Sequence, residues 1–331
     1  MKYFIGVDIG GTKTAVVLGC EGPELFAKAQ LKTRNFSTPE KGIEEIAAII
    51  GRVLQERNIP HSQIQSVGVS CGGPLDIDRG LILSPPNLPG WDRTPIVSML
   101  RESLGIPVYL QNDANAGALA EWRWGAGKGC RNIIFLTFGT GLGAGLIVNG
   151  QLYTGANDMA GEVGHIRLAE FGPAGYGKIG TLEGFASGGG IAQVAKTVIL
   201  SKFQAGKSVG FCPTVGTLEG INAEDVGCAA EKGDGTAREI LSISGQYLGR
   251  GLAILIDILN PEKIILGSIY SRCRQYLEPS VLAAVREESI ARSAEICCIV
   301  PAELDSEIGD YASLAVGMNG AAAAEGQGGE G

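Results

Sequence analysis

Short apolar runs separated by glycine-rich breaks organise the first third of the chain. Tyr3-Phe4-Ile5-Gly6-Val7 predicts a strand, Asp8-Ile9-Gly10-Gly11-Thr12-Lys13 a loop, and Thr14-Ala15-Val16-Val17-Leu18 a returning strand. A glycine pair between two apolar runs marks a hairpin turn whose backbone can approach a ligand closely. Phe26 to Leu31 predicts a third strand. Thr38-Pro39 opens a helix with a hydroxyl cap and proline at the first helical position. Ile43, Ile46, Ile50, Val53 and Leu54 then recur at helical spacing, and Asn58-Ile59-Pro60 closes the helix. Ile64 to Cys71 predicts a buried strand ending at Gly72-Gly73-Pro74. Leu81 to Leu83 leads into the proline-stiffened loop Ser84 to Trp91, whose one side-chain amide is Asn87. A helix from Pro95 to Leu104 precedes the strand Pro107 to Leu110 and a helix from Ala114 to Trp124 that stops at Gly125.

The second half begins by echoing the first. Asn132 to Thr137 predicts a strand, Phe138 to Gly143 a loop, and Ala144 to Val148 a returning strand, so one Gly-Thr hairpin stands in each half. Gln151 to Tyr153 extends the sheet. Residues 160 to 190 are glycine-rich with little periodicity and are expected to form a long loop. Helices follow at Ile191 to Phe203, Asn222 to Lys232 and Gly235 to Leu259, then a strand Lys263 to Leu266, a helix Arg272 to Glu288 and a strand Glu295 to Val300. A last helix from Ile308 runs out into a small-residue tail, Ala321 to Gly331, expected to be disordered. Strands and helices that alternate in this way predict an α/β fold.

At 331 residues the chain exceeds one typical core, so two domains are expected. A net charge of −8 argues against a nucleic-acid surface, which needs clustered Lys and Arg, but is compatible with phosphates held locally by backbone N–H groups and Mg²⁺. The eight cysteines include no C-x-x-C pair and several lie in apolar strands, the pattern of reduced cysteine in a cytoplasmic protein. The N-terminus enters a strand at once, so no signal peptide is expected. The most apolar run, Leu252 to Leu259, is too short to span a bilayer, and no membrane partner is expected.

Asp113 is the first chemical candidate, because it stands where a strand hands over to a helix, the edge at which ligands collect in α/β folds. The same carboxylate is also well suited simply to cap that helix. Gly172 to Ile179 misses a phosphate-loop pattern by lacking a Ser or Thr at its last position, and Gly139-x-Gly141-x-x-Ala144 is followed by a strand pattern where a dinucleotide fingerprint needs a helix. The paired Gly-Thr hairpins carry more weight: one in each half suits two domains that each offer N–H groups and a hydroxyl to a polyphosphate.

Six motifs occur in order: Asp8 to Lys13, Gln111-Asn112-Asp113-Ala114-Asn115, Phe138 to Gly143, Glu162-Val163-Gly164-His165, Glu183 to Gly188, and Asn260 to Gly267. The set resembles the ROK family of sugar kinases and sugar-responsive repressors, across nearly the whole chain. The resemblance implies two actin-like, ribonuclease H-like α/β lobes with a cleft between them. The first would be residues 1–115, completed by a helix at about 308–324, and the second 116–307, with 325–331 a disordered tail. It implies ATP with Mg²⁺ as cofactor, the metal near Asp8. Asp8, Gly10, Gly11, Thr12 and Lys13 would grip phosphates together with Gly139, Thr140 and Gly141, and Gly267 and Ser268 would meet adenosine. The family usually has a second glycine at Ser268. Asp113 would be the general base, and Gly73, Asn87, Asn112, Asp113, Glu162, His165 and Glu183 would bind the sugar.

Many members of that family carry a zinc ion on the histidine and three cysteines, whose positions here are Ala174, Tyr176 and Thr181. Structural zinc wants four N or S ligands, so no zinc site is expected, and the loop is expected to be held by packing around Pro173, Tyr176 and Ile179. The reaction implied is phosphoryl transfer from ATP to a hexose, glucose first, with an N-acetylhexosamine (N-acetylglucosamine or N-acetylmannosamine) or fructose as alternatives. A sugar-binding regulator without turnover is the reading of another class. The family's repressors carry a helix-turn-helix domain ahead of the kinase-like part, whereas here the kinase pattern begins at Lys2. A homodimer is a further expectation of the resemblance.

Overall fold

The first glycine hairpin forms where the pattern puts it. In the computed structural model, which describes residues 1–327, β1 (Tyr3–Ile9) and β2 (Lys13–Cys20) pair antiparallel, with Asp8 opposite Ala15 and Ile9 opposite Thr14. β3 (Leu25–Lys32) continues the sheet beyond β2. In α1 (Pro39–Glu56), the Thr38 hydroxyl caps the first turn by accepting from the Lys41 N–H, and Ile43, Ile46, Ile50 and Val53 turn inward. β4 (Ile64–Cys71) lies parallel to β1. A small hairpin of β5 (Leu75–Asp76) and β6 (Leu81–Ile82) follows, then α2 (Ile96–Leu104), β7 (Val108–Asn112) parallel to β4, and α3 (Asp113–Trp124). The sheet order is β3-β2-β1-β4-β7.

The second sheet repeats this plan. β8 (Ile133–Phe138), β9 (Leu142–Val148) and β10 (Gln151–Tyr153) form the antiparallel part. Next come a two-stranded hairpin of β11 (Ala174–Gly175) and β12 (Lys178–Ile179), and helices α4 (Leu182–Ala186), α5 (Gly188–Gln204), α6 (Ala223–Glu231) and α7 (Gly235–Leu259). β13 (Lys263–Leu266) lies parallel to β8, and α8 (Ile269–Glu288) and α9 (Ala291–Ile296) lead to β14 (Cys298–Pro301), parallel to β13. The order β10-β9-β8-β13-β14 matches the first sheet strand for strand. α10 (Ile308–Gln327) ends the described chain.

Two compact units result. The first holds Met1–Lys128, Thr154–Asp158 and the chain from Ser306, and the second Gly129–Tyr153 and Met159–Asp305. The first therefore runs past the expected limit at residue 115 and keeps all of α3. Each has its own core, one around Ile5, Val7, Ile46 and Val69, the other around Leu136, Leu182, Leu248 and Ile264. Three expectations need correction. Residues 160–190 are not one loop, because the Thr181 and Ser187 hydroxyls cap α4 and α5 within the stretch. Glu295 and Ile296 end a helix, and the last strand starts only at Cys298. Residues 321–327 continue α10, since alanine is the best helix former; the remainder of the expected tail, 328–331, lies outside the described residues.

α10 sits close on β1 and β4 because glycines face it. A Cβ on Gly68 would strike the Ser313 carbonyl and the Gly317 amide, and one on Gly6 would come within 2.9 Å of the Leu314 N atom. The Ser66 hydroxyl donates to the Gly317 carbonyl at 2.8 Å, which holds that approach. Among the described residues no helix is long and apolar enough to cross a membrane. Gly68→Ala is expected to destabilise the protein by about 1–3 kcal/mol, since a close-packed backbone must move apart. Urea unfolding monitored by circular dichroism checks it; an unchanged midpoint would refute the close docking of α10.

Candidate functional site in each unit

In the first unit the β7–α3 junction places Asp113. Asn112, not Asp113, is the helix cap, a correction to the capping alternative. Asn112 has extended backbone, and its Oδ1 accepts from the Asn115 N–H at 2.8 Å. Gln111 Oε1 accepts from the Asn112 N–H at 2.8 Å and from Asn115 Nδ2 at 3.2 Å, fixing the segment from behind. Both residue types cap well, and the extended conformation falls one residue earlier than a cap at Asp113 requires. Asp113 is therefore the first residue of the helix, with its side chain open to water. Desolvation by surrounding protein raises its carboxyl above the usual range, and N–H groups of Ala114 and of Asp113 itself pull it partly back.

Asp8 is the penultimate residue of β1, at the same edge of the sheet. It is half-buried, and desolvation followed by the nearby carboxylates of Asp113 and Asp310 pushes it up to about 6, against a hydrogen bond with Ser70 and the charge of Lys28. Lys28 and Asp310 form an ion pair beside it. The Gly10 N–H donates to the Lys13 carbonyl at 3.0 Å and so closes the turn, with Gly11 and Thr12 at its tip. Asn87 packs on this turn: a Cβ on Gly11 would strike the Asn87 carbonyl, and one on Gly72 would lie 3.3 Å from Asn87 Nδ2. The structure thus brings Gly11, Gly72 and Asn87 together, with Asp8 and Asp113 as electrostatic neighbours. Asn87 and Gly73 are exposed.

The second unit presents a similar turn. The Gly139 N–H donates to the Gly141 carbonyl at 3.2 Å, so here too the first glycine closes the turn. Thr140 and Gly141 stand exposed at its tip. The turn is tied down from α4 and α5: the Gly188 N–H donates to the Gly139 carbonyl at 2.8 Å, and the Leu142 N–H donates to Glu183 Oε2 at 3.0 Å. Gly139, Thr140, Gly188 and Gly189 form one wall of a cavity of about 730 Å³, which Ser268 just before α8, Arg272 on α8, and Glu224 and Cys228 on α6 also bound. Such a volume suits a nucleotide-sized ligand. Gly267 is buried and donates its N–H to Leu136 at 3.1 Å, so of the expected adenosine pair Ser268 is the one that lines the cavity. Ser268 has φ 50°, a backbone conformation that favours glycine.

The Glu162 to His165 loop and Glu183 are neighbours, since a Cβ on Gly164 would lie 3.2 Å from the Glu183 Cβ. The stretch after His165 is held by hydrogen bonds rather than by the expected apolar packing. Gln193 bonds both main-chain groups of Ala174, at 2.9 and 2.8 Å, Lys178 Nζ donates to the His165 carbonyl at 2.8 Å, and the Gly180 N–H donates to Pro173 at 2.8 Å. Tyr176 and Gly177 both have positive φ, at the β11–β12 turn, and Tyr176 and Ile179 are 85% and 51% exposed. Tyr176 instead meets the His165 ring edge-on, with centroids 6.4 Å apart. Thr181 is buried and spends its hydroxyl on the Gly184 N–H. Among the described residues, no group of three or more His, Cys, Asp or Glu is placed to hold a metal ion. All eight cysteines are free, and Cys228 and Cys298 are exposed rather than buried.

A model of the family described as the ROK family matches residues 4–322. The chain belongs to the ROK family. It is 32% identical over 305 residues to a glucokinase of Halalkalibacterium halodurans, covering 89% of this chain and 91% of that one. A crystal structure of a ROK hexokinase from Thermus thermophilus superposes with a TM-score of 0.80 at 28% identity, covering 96% of this chain and 98% of the other. A ROK family glucokinase from Streptomyces griseus, solved with glucose and AMPPNP, superposes with a TM-score of 0.71 at 28% identity over 96% of this chain and 99% of that one.

For this ROK protein, the sequence reading missed the cavity walls on α6 and α8, among them Glu224, Cys228 and Arg272. No local pattern marks them, because helices distant in sequence make the cavity. Gly188 and Gly189 did carry a signal, the Gly188-Gly189-Gly190 triplet that opens α5. A testable consequence concerns Asp8. Its folded pKa of about 6 lies above the ordinary value of 3.8, so its contribution to stability is present at low pH and lost as pH rises through 6. Asp8→Asn removes that penalty. Its melting temperature is expected to exceed the wild type's by a margin that grows between about pH 4 and pH 7, measured by scanning calorimetry; a margin that does not change with pH would refute the assignment.

Proposed function

We propose that this ROK protein is an ATP-dependent kinase that transfers the γ-phosphoryl group to a hydroxyl of glucose. The observation that carries the reading is Asp113, a carboxylate at a helix start whose capping duty falls to Asn112. Phosphoryl transfer asks a protein mainly to position two substrates and to stabilise charge. Asp113 accepts the proton of the attacking sugar hydroxyl, and its raised pKa makes it a stronger base than an ordinary carboxylate. Asn87, Asn112 and the Gly73 backbone hold sugar hydroxyls in the first unit, and Glu162, His165 and Glu183 do so in the second. A polyol needs such mixed donors and acceptors.

ATP phosphates meet the tips of the two glycine turns, Gly10 to Lys13 and Gly139 to Gly141, whose remaining N–H groups and Thr hydroxyls are suited to anions. Gly267 and Ser268 mark the nucleoside end of the site. The carboxylate of Asp8 fits a Mg²⁺ ion of the usual kind, held by one or two carboxylates together with substrate phosphates. Bound there, Mg²⁺ would neutralise developing phosphate charge. ATP as donor and the free cysteines accord with the reducing cytoplasm as the place of work.

A coupled assay with glucose, fructose, N-acetylglucosamine and N-acetylmannosamine tests the reading. Glucose is expected to give the highest kcat/KM. Asp113→Asn is expected to lower kcat by ~10²–10⁴-fold with KM for glucose nearly unchanged. Full turnover in Asp113→Asn, or no turnover with any of the four sugars, would overturn it.

A further inference from the structure

Glu183 is packed among glycines from four separate segments of the second unit. A Cβ on Gly141 would lie 2.9 Å from its Oε2, and a Cβ on Gly164 or Gly175 would lie 3.2 or 2.9 Å from its Cβ. A Cβ on Gly190 would lie 2.5 Å from its carbonyl oxygen. The side chain thus stands where the Gly139 to Gly143 turn, the Glu162 to His165 loop, the β11–β12 hairpin and the start of α5 meet. Its helix is fixed on three sides: Thr181 caps it, Phe185 stacks on Tyr247 with ring centroids 3.5 Å apart, and the Ser187 N–H donates to the Glu183 carbonyl at 3.0 Å. From this anchored position Oε2 accepts the Leu142 N–H, the amide that ends the turn. Oε1 has no hydrogen-bond partner among the described residues.

We propose that Glu183 is a positioning residue for the nucleotide, one that braces the Gly139 to Gly143 turn through Oε2 while Oε1 faces the sugar. The inference rests on the kinase reading and adds to it a coupling between the two substrates. A sugar hydroxyl donated to Oε1 stops rotation of the carboxylate, so the turn loses less freedom when phosphate arrives. A site ordered by one ligand binds the next more tightly, and the effect is reciprocal. Glu183→Gln keeps a carbonyl oxygen able to accept the Leu142 N–H, whereas Glu183→Ala keeps none.

The test measures AMPPNP affinity by calorimetry, with and without glucose, in wild type, Glu183→Gln and Glu183→Ala. Without glucose, Glu183→Ala is expected to bind AMPPNP about tenfold more weakly than wild type, and Glu183→Gln within about threefold. Glucose is expected to tighten AMPPNP binding at least about fivefold in wild type and not at all in Glu183→Ala. A side chain that only touches sugar leaves glucose-free AMPPNP affinity unchanged in Glu183→Ala, and that result overturns the proposal. Amide hydrogen exchange in the ligand-free protein gives a second readout. The Leu142 N–H is expected to be protected in wild type and Glu183→Gln and to exchange faster in Glu183→Ala; equal exchange in all three also overturns it. Wild type that binds no AMPPNP sinks the kinase reading, while the exchange of Leu142 still decides whether Glu183 braces the turn.

Discussion

The hydrogen bond from the Asn115 N–H to Asn112 Oδ1 is the contact on which the proposed chemistry of this chain depends. A helix start leaves N–H groups without intrahelical partners, and any short polar side chain nearby is drawn to them. Asn112 answers that demand, and Gln111 fixes Asn112 in turn. The acidic residue that follows is left at the first helical position, crowded enough for its pKa to rise and open enough for a ligand to reach.

The second organising constraint is the glycine turn that each unit builds between its first two strands. In both, the leading glycine donates its own N–H back into the turn, from Gly10 to Lys13 and from Gly139 to Gly141, so the residues at the tip are the ones left to face an anion. Glycine is demanded by neighbours as much as by dihedral angles. Asn87 occupies the space beside Gly11, and Glu183 that beside Gly141. Each turn is thus shaped by a polar residue that the family resemblance assigns to the sugar. Strand order repeats from one sheet to the other with the turn in the same place, which is why two segments distant in sequence look alike.

Much of this was legible from hydrophobic pattern alone. β4, β10, β13 and α7 begin and end where the residue pattern predicts, because punctuation by glycine, proline and asparagine lies close to the real boundaries. The stretch from 160 to 190 was not legible. Its glycines suggest a loop, while the order comes from single hydroxyls, Thr181 and Ser187, and from Gln193 reaching across to Ala174. That Ala174, Tyr176 and Thr181 offer no thiolate was plain in the sequence, but how the stretch around them is held was not. Tyr176 and Ile179 turn outward at a tight hairpin, and hydrogen bonds from Gln193, Lys178 and the Gly180 N–H hold the stretch. The choice between Asn112 and Asp113 as cap was beyond sequence too, since the two residue types serve equally and backbone conformation decides. The cavity walls on α6 and α8 arise from tertiary packing and leave no local trace.

The most direct test of the account is a crystal structure of the protein with glucose and AMPPNP, read for the distance from the Asp113 carboxylate to the nearest sugar hydroxyl oxygen. A distance of about 2.6–3.2 Å is expected, with the Asn112 cap intact. Glucose bound with every hydroxyl beyond hydrogen-bond reach of Asp113 would contradict it.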